Sequence, residues 1–339
     1  MKPPERRSAR ALQISVGLII SAALIWFSFH NYRFADIWED VRRVHLLPLL
    51  GCVTLATIPF VLRVPRWRVL LRHNDGSALP SPALWNAIAI GFAANNVLPL
   101  RAGEVLRVGA ISRLGRVSFA SALSSVAIER VLDALTVVAL LGIGLVTSHL
   151  PAGVRIGNGP PIATVAKTTG LLCLVVLFIA ILAAWQRALA LRAFEGILPS
   201  GPVGQRLVTF ADNVLRGLGA MRDPQRAIPI IAWSLVVWLV NASAFYLLFA
   251  AFQIDVPFSG ALILQGALMF AIAVPSSPGF VGIFEGVIPL ALSLYGVDQR
   301  LALAAAVTYH VSTFIPITFL GALSAVRTGV HLKVPPATP

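Results

Sequence analysis

The chain has 339 residues, 57% of them hydrophobic and 12% charged, with a mean hydropathy of +0.83. Soluble domains carry about 25% charged residues, so a water-soluble core is excluded and an all-α, polytopic integral membrane protein is indicated. The net charge of +13 reads in such a protein as loops held at an anionic inner leaflet, with no nucleic-acid partner.

The first element follows the basic stretch MKPPERRSAR. The apolar run after it is long enough to span and has no small-x-small cleavage site, which predicts an uncleaved first span over Leu12–Phe29. Further spans are predicted at Leu46–Leu62, Ala120–Val146, Ile162–Trp185, Ile228–Phe252 and Leu301–Val326. Cys52 and Cys173 sit in apolar runs and read as packing residues. Two apolar stretches, Pro82–Leu100 and Phe258–Leu294, are interrupted by breakers: Pro99 and Gly103 around the first, Pro275, Pro278, Gly279 and Gly282 in the second.

Positive charge orders these elements. Arg clusters follow the N-terminus, the second span, Pro82–Leu100 and the fourth span. If Pro82–Leu100 enters and returns, all of them fall on the cytoplasmic side, as the positive-inside rule requires. Both termini are then cytoplasmic, in a bacterial cytoplasmic membrane. The bend VPSSPGFVG lacks Lys and Arg, which fits a second re-entrant hairpin opening outward. About six full spans and two oppositely oriented re-entrant hairpins result.

The hairpins also resemble each other. Gly115 precedes Glu129 by 14 residues and Gly296 precedes His310 by 14. An inverted repeat with broken helices meeting at the midplane is a transporter architecture; chance likeness between Ala-rich helices is the other reading. Residues 203–222 carry apolar positions at helical spacing and predict an amphipathic helix on the cytoplasmic surface.

Charge inside a span costs about 2.5–3.5 kcal/mol per residue, so it marks a candidate site. Glu129 lies ~16 Å into its span by helical rise, and Asp133 is one turn further on the same face. With Arg130 they form either a self-neutralising structural knot or one wall of a polar cavity shared with Asn95, Asn96, Arg101, Glu104 and Arg107. The guanidiniums of Arg101, Arg107 and Arg130 suit a phosphate fork, and Glu104, Glu129, Asp133 and Glu285 could balance charge or carry protons. His310 reads as a satisfied core residue or a proton-responsive group. Phosphate-loop, nucleophile-elbow and HExxH patterns are absent from the sequence, so neither cofactor nor metal is expected.

With NNVLPLRAGEVLR, ERVLD and PSSPGFVGIFEG in place, the chain resembles the transmembrane region of lysylphosphatidylglycerol synthases, the flippase-like membrane part of multiple peptide resistance factor proteins. The likeness covers about residues 10–330. The family pattern falls on Asn95, Pro99, Gly103, Glu104 and Arg107, then on Glu129, Arg130 and Asp133, then on Pro278, Gly279, Gly282 and Glu285. Full synthases carry a soluble aminoacyl-transferase domain after this region, and none is expected here. The resemblance implies a single, stand-alone flippase-like domain over residues 1–339 that moves a phospholipid, hopanoid-type lipid or lipid-linked glycan. An intramembrane lipid transferase, or a non-catalytic partner of lipid-synthesis enzymes, is the alternative. The oligomeric state is not legible.

Overall fold

The computed structural model describes residues 19, 22–26, 28–73, 75–98, 101–148, 150, 160–186, 191–192, 201, 204–205, 208, 224–273 and 277–330. Pro99, Pro275, most of Leu12–Phe29 and nearly all of the helix predicted over 203–222 lie outside them. Among the described residues the ordered elements are helices: α1 (Phe34–Arg42), α2 (Leu46–Leu70), α3 (Ser81–Val97), α4 (Ala102–Leu114), α5 (Phe119–Val146), α6 (Ile162–Trp185), α7 (Pro224–Ala251), α8 (Phe258–Ala273), α9 (Ile283–Ser293) and α10 (Gln299–Thr328), with one 3-10 turn at Pro278–Phe280.

Among the described residues four segments are long and apolar enough to cross a membrane, lying in α2, α6, α7 and α10. The 28-residue α5 has the length too, but Glu129, Arg130 and Asp133 fall in every 18-residue window of it. Its start is fixed by Ser118, whose Oγ accepts the Ser121 amide at 3.1 Å. At α10, Asp298 Oδ1 accepts the amides of Arg300 and Leu301 at 3.1 and 3.0 Å, and Gly329 closes the helix in the left-handed conformation at φ 62°, which costs glycine little.

The other apolar helices among the described residues are too short to cross. With 17, 13, 16 and 11 residues, α3, α4, α8 and α9 rise only ~25, ~20, ~24 and ~17 Å, against a hydrocarbon core of about 30 Å. They pack in consecutive pairs, α3 on α4 and α8 on α9, as broken hairpins should. The first halves of these pairs are the centre of the bundle. Ala87, Ile88, Ala89 and Ile90 of α3 and Ala261 and Leu264 of α8 are shut off from solvent almost completely. Helices apolar on every side belong in such a position. By contrast α6 exposes Leu171, Leu172, Phe178 and Ile179, a surface suited to lipid chains.

The packing has an internal symmetry. If α2–α5 is matched to α7–α10 in order, contacts recur in pairs: α2–α3 with α7–α8, α4–α5 with α9–α10, α2–α10 with α7–α5. The central helices are exchanged, α3 lying on α10 and α8 on α5, while α2 and α7 pack on each other. Small residues permit both exchanged contacts. Gly321 of α10 faces Ala89 and Ala93 of α3, and Gly144 of α5 faces Leu262 of α8, the close approach that packing inside a membrane favours.

Candidate functional site

The first break lies between α3 and α4. Asn95 Oδ1 accepts the amide of Gly103 at 2.9 Å, tying the end of one half-helix to the start of the next. Gly91 and Gly103 touch backbone to backbone; a β-carbon on Gly91 would sit 3.0 Å from the Gly103 carbonyl oxygen and 2.6 Å from Arg107 Cβ. Arg101, just before α4, is left-handed at φ 52°, a conformation that costs a non-glycine residue about 1–2 kcal/mol. Its guanidinium donates to the Ile272 carbonyl at the end of α8, so this strained turn is anchored on the other broken pair.

The second break repeats the device with other chemistry. Gly279 and Gly282 take positive φ, 71° and 89°, and Glu285 Oε2 accepts the Gly282 amide at 2.7 Å. Glu285 Oε1 is 2.7 Å from His310 Nδ1, and His310 Nε2 is 2.7 Å from the Gly279 carbonyl oxygen. A carbonyl only accepts, so Nε2 carries a proton. The Nδ1–Oε1 bond then holds a single proton, and the pair is neutral overall whichever atom carries it. The two breaks meet: a methyl group on Gly279 would lie 3.2 Å from the Asn96 carbonyl oxygen, and Asn96 Nδ2 donates to Thr318 Oγ1 of α10 at 2.8 Å.

Beside this junction is a buried cluster of charge. Glu129 and Asp133 have no exposed surface. Arg107 holds Glu129 with both prongs, at 2.9 and 2.8 Å, while stacked 3.9 Å above the Trp67 ring. Arg66 lies 2.5 Å from Asp133 and 3.2 Å from Glu129. Arg63 bonds Asp133 at 3.1 Å, Arg130 reaches Glu129 at 2.6 Å, and Trp238 Nε1 donates to Asp133 at 2.9 Å. Four guanidiniums thus surround two fully buried carboxylates and leave two positive charges in excess. Glu104, 3.8 Å from Arg130, offsets one; neighbouring Arg101 restores it.

That excess faces a cavity of about 240 Å³ between the two breaks. Of the sequence-predicted residues, Asn95, Asn96, Arg101, Glu104, Arg130 and His310 line it. Arg107, Glu129, Asp133 and Glu285 do not. The fork of Arg107 is filled by Glu129, and Glu129 and Asp133 lie behind the lining, enclosed by guanidiniums. Within ERVLD, Arg130 is the residue that reaches the cavity.

Sequence reasoning missed Arg63, Arg66, Trp238 and Gln265. Arg63 and Arg66 had the look of a loop flanking a span ending at Leu62, yet α2 continues to Leu70. Their three-residue spacing, which puts both on one helical face, was the available signal. Trp238 was indistinguishable from an ordinary apolar residue.

The sequence of residues 14–321 matches the lysylphosphatidylglycerol synthase TM region family. It is also similar to the glycosyltransferase AglD of Haloferax volcanii, at 28% identity over 331 residues, covering 90% of this chain but 52% of that protein, so the chain spans about half of that relative's length. A UPF0104 membrane protein of Methanothermobacter thermautotrophicus is 27% identical over 318 residues, covering 90% of this chain and 89% of the relative. With its all-helical build and its apolar spanning segments, the chain is a membrane-embedded protein that belongs to the lysylphosphatidylglycerol synthase TM region family.

Proposed function

We propose that the protein moves an anionic lipid across the bilayer, in a cytoplasmic membrane with both termini on the cytoplasmic side. The observation that carries this reading is the excess of positive charge on a cavity wall at the junction of two broken helix pairs. A buried cluster with uncompensated charge is costly, and a phosphate or phosphodiester entering the cavity would relieve it through Arg101, Arg130 and Arg63. The cavity lies just under the ~300 Å³ lower end of small-molecule pockets, so it would take a headgroup while the acyl chains stay in the membrane. The exchanged packing of α3 and α8 supports a second element of the proposal: if the pseudo-two-fold lies in the membrane plane, rocking one repeat on the other would open the cavity to each leaflet in turn.

Reconstitution tests this. Proteoliposomes containing a fluorescent phosphatidylglycerol are treated with dithionite, which quenches only outer-leaflet label. Loss of signal beyond the outer half is expected with protein and not with empty vesicles; equal loss in both would reject transport. An intramembrane transferase is the second reading, favoured by the name of the Haloferax volcanii relative and by Glu104, which is one-third exposed beside Arg130 and could act as acid or base. A new lipid product by chromatography would support it. Assembly with lipid-synthesis enzymes is a further proposal, tested by co-purification.

A further inference from the structure

The cavity has a second polar station that the charge cluster does not use. Gln265 is the one hydrogen-bonding side chain in the stretch ALILQGALMFAIA of α8. It is 2% exposed, it lines the cavity, and neither its amide oxygen nor its amide nitrogen finds a hydrogen-bond partner among the described residues. A buried primary amide with both ends unmade is rare in a folded protein, and it calls for a ligand or an ordered water. The side chain is not free to leave. Gly266, the next residue, is pressed against α5, where a β-carbon would lie 2.8 Å from Leu141, so the register of α8 is fixed.

Its distance from the guanidiniums is set by the same helix. Arg101 is bonded to the Ile272 carbonyl, seven residues beyond Gln265, which corresponds to ~10 Å along α8. Within that reach the wall changes character. Near Arg101 and Arg130 it is cationic. Elsewhere it has neutral groups, Gln265 and Asn241, the latter engaged with the Tyr309 hydroxyl, set among the rings of Trp238, Phe245 and Phe284. An ammonium headgroup would find no carboxylate at Gln265, whereas an amide offers one acceptor and two donors. Hydroxyl groups match that set, because each can both give and accept a proton. The C–H faces of a ring that bears hydroxyls match the aromatic walls.

We propose that Gln265 recognises the hydroxyl groups of a polyol or sugar carried beside the phosphate, which makes the substrate class a lipid phosphodiester with a polyhydroxylated headgroup. This rests on the anion reading of the same cavity. The phosphate sits at Arg101 and Arg130, and the hydroxylated part extends along α8 to Gln265. Gln265 acts as a specificity residue: it sets which anionic lipid is held, while the arginines set that an anion is held at all.

The test is lipid binding by native mass spectrometry of the full-length protein in detergent. Phosphatidylinositol serves as the hydroxylated probe and phosphatidic acid as the probe with phosphate alone. The wild type is expected to prefer phosphatidylinositol by roughly tenfold, the scale of one or two hydrogen bonds to a buried polar group. Gln265→Leu should remove the preference and leave phosphatidic acid bound as before. Arg101→Ala should weaken both probes together. Gln265→Asn, which keeps the amide on a shorter arm, serves as a second variant, and a monodisperse size-exclusion profile establishes that each variant is folded. An equal affinity of the wild type for the two probes, which needs no variant, overturns the proposal. So does a preference that survives Gln265→Leu, which would make Gln265 a water-satisfied packing residue and leave the anion reading intact. If Arg101→Ala changes neither probe, the anion reading itself fails, and this proposal fails with it.

Discussion

The two breaks are equivalent in position and opposite in electrical character. Glu104 and Glu285 each lie eleven residues before a glycine, Gly115 and Gly296, and each is the third residue of its half-helix, after Arg101 and Gly282 with φ of 52° and 89°. In the second break Glu285 folds back to cap the Gly282 amide and is locked to His310, so the unit is neutral and closed. In the first break Asn95 takes the capping task at Gly103, and Glu104 is left one-third exposed beside Arg130. One break therefore presents fixed charge to the cavity and the other stores a single shared proton. Moving the cap from a carboxylate to an amide is what frees the first carboxylate.

The largest expected effect separates the charged surroundings of the two breaks. Glu129→Ala strands Arg107 and leaves Arg66 and Arg130 short of a partner in the interior. A loss of about 3–5 kcal/mol follows from breaking a buried ion pair on one side, seen as a collapse of folded yield and melting temperature in detergent. Glu285→Gln should cost under about 1 kcal/mol. The new amide oxygen still accepts the Gly282 amide, its NH2 donates to neutral His310 Nδ1, and Nε2–H still donates to Gly279. Equal losses in the two variants would remove the distinction.

Backbone contact comes next. Gly103→Ala drives a methyl group into the Gly91 carbonyl oxygen and to 2.5 Å from the capping Asn95 Oδ1, and about 3 kcal/mol of destabilisation, the upper end for overpacking, is expected. At Gly286 the nearest obstacle among the described residues is the end of the Leu24 side chain, 3.1 Å away, so Gly286→Ala should change the melting temperature little. A third comparison uses Arg101. Arg101→Ala should weaken anionic-lipid binding at least tenfold and Arg101→Lys only a few-fold, since Lys keeps the charge and loses the fork. A Lys variant as weak as the Ala variant would mean that the Ile272 anchor, not the charge, is what matters.

Much of this was legible in the chain. Pro and Gly mark both breaks because non-helical backbone at depth needs residues that stop and turn a helix, and Glu104, Arg130 and His310 stood out as charge or polarity inside apolar runs. Arg63 and Arg66 did not, because a hydropathy boundary ends where the charge begins and says nothing about whether the helix continues. The pairing of Glu129 with Arg107 rather than with its neighbours alone also needs three dimensions: side chains 22 residues apart are brought together by a turn at Gly115 that no periodicity encodes. A lone glutamine such as Gln265 changes hydropathy too little to be seen.

The exchange of α3 and α8 between repeats has a consequence for biosynthesis. Asn96 bonds to Thr318, 222 residues later, and α3 finds its partner in the other repeat only when α10 has been made. At 5–20 residues per second that interval is about 10–45 s. The arginine cluster can close early, since Arg63, Arg66, Arg107, Glu129 and Arg130 all precede α6. The Ala-rich half-helix α3 can pair with α4 early, but its small-residue face toward α10 waits uncovered in the membrane. Nascent chains stalled before α10 should therefore be the form on which an insertase or a membrane protease acts, and fragments divided between α6 and α7 should reach a folded state only when synthesised together.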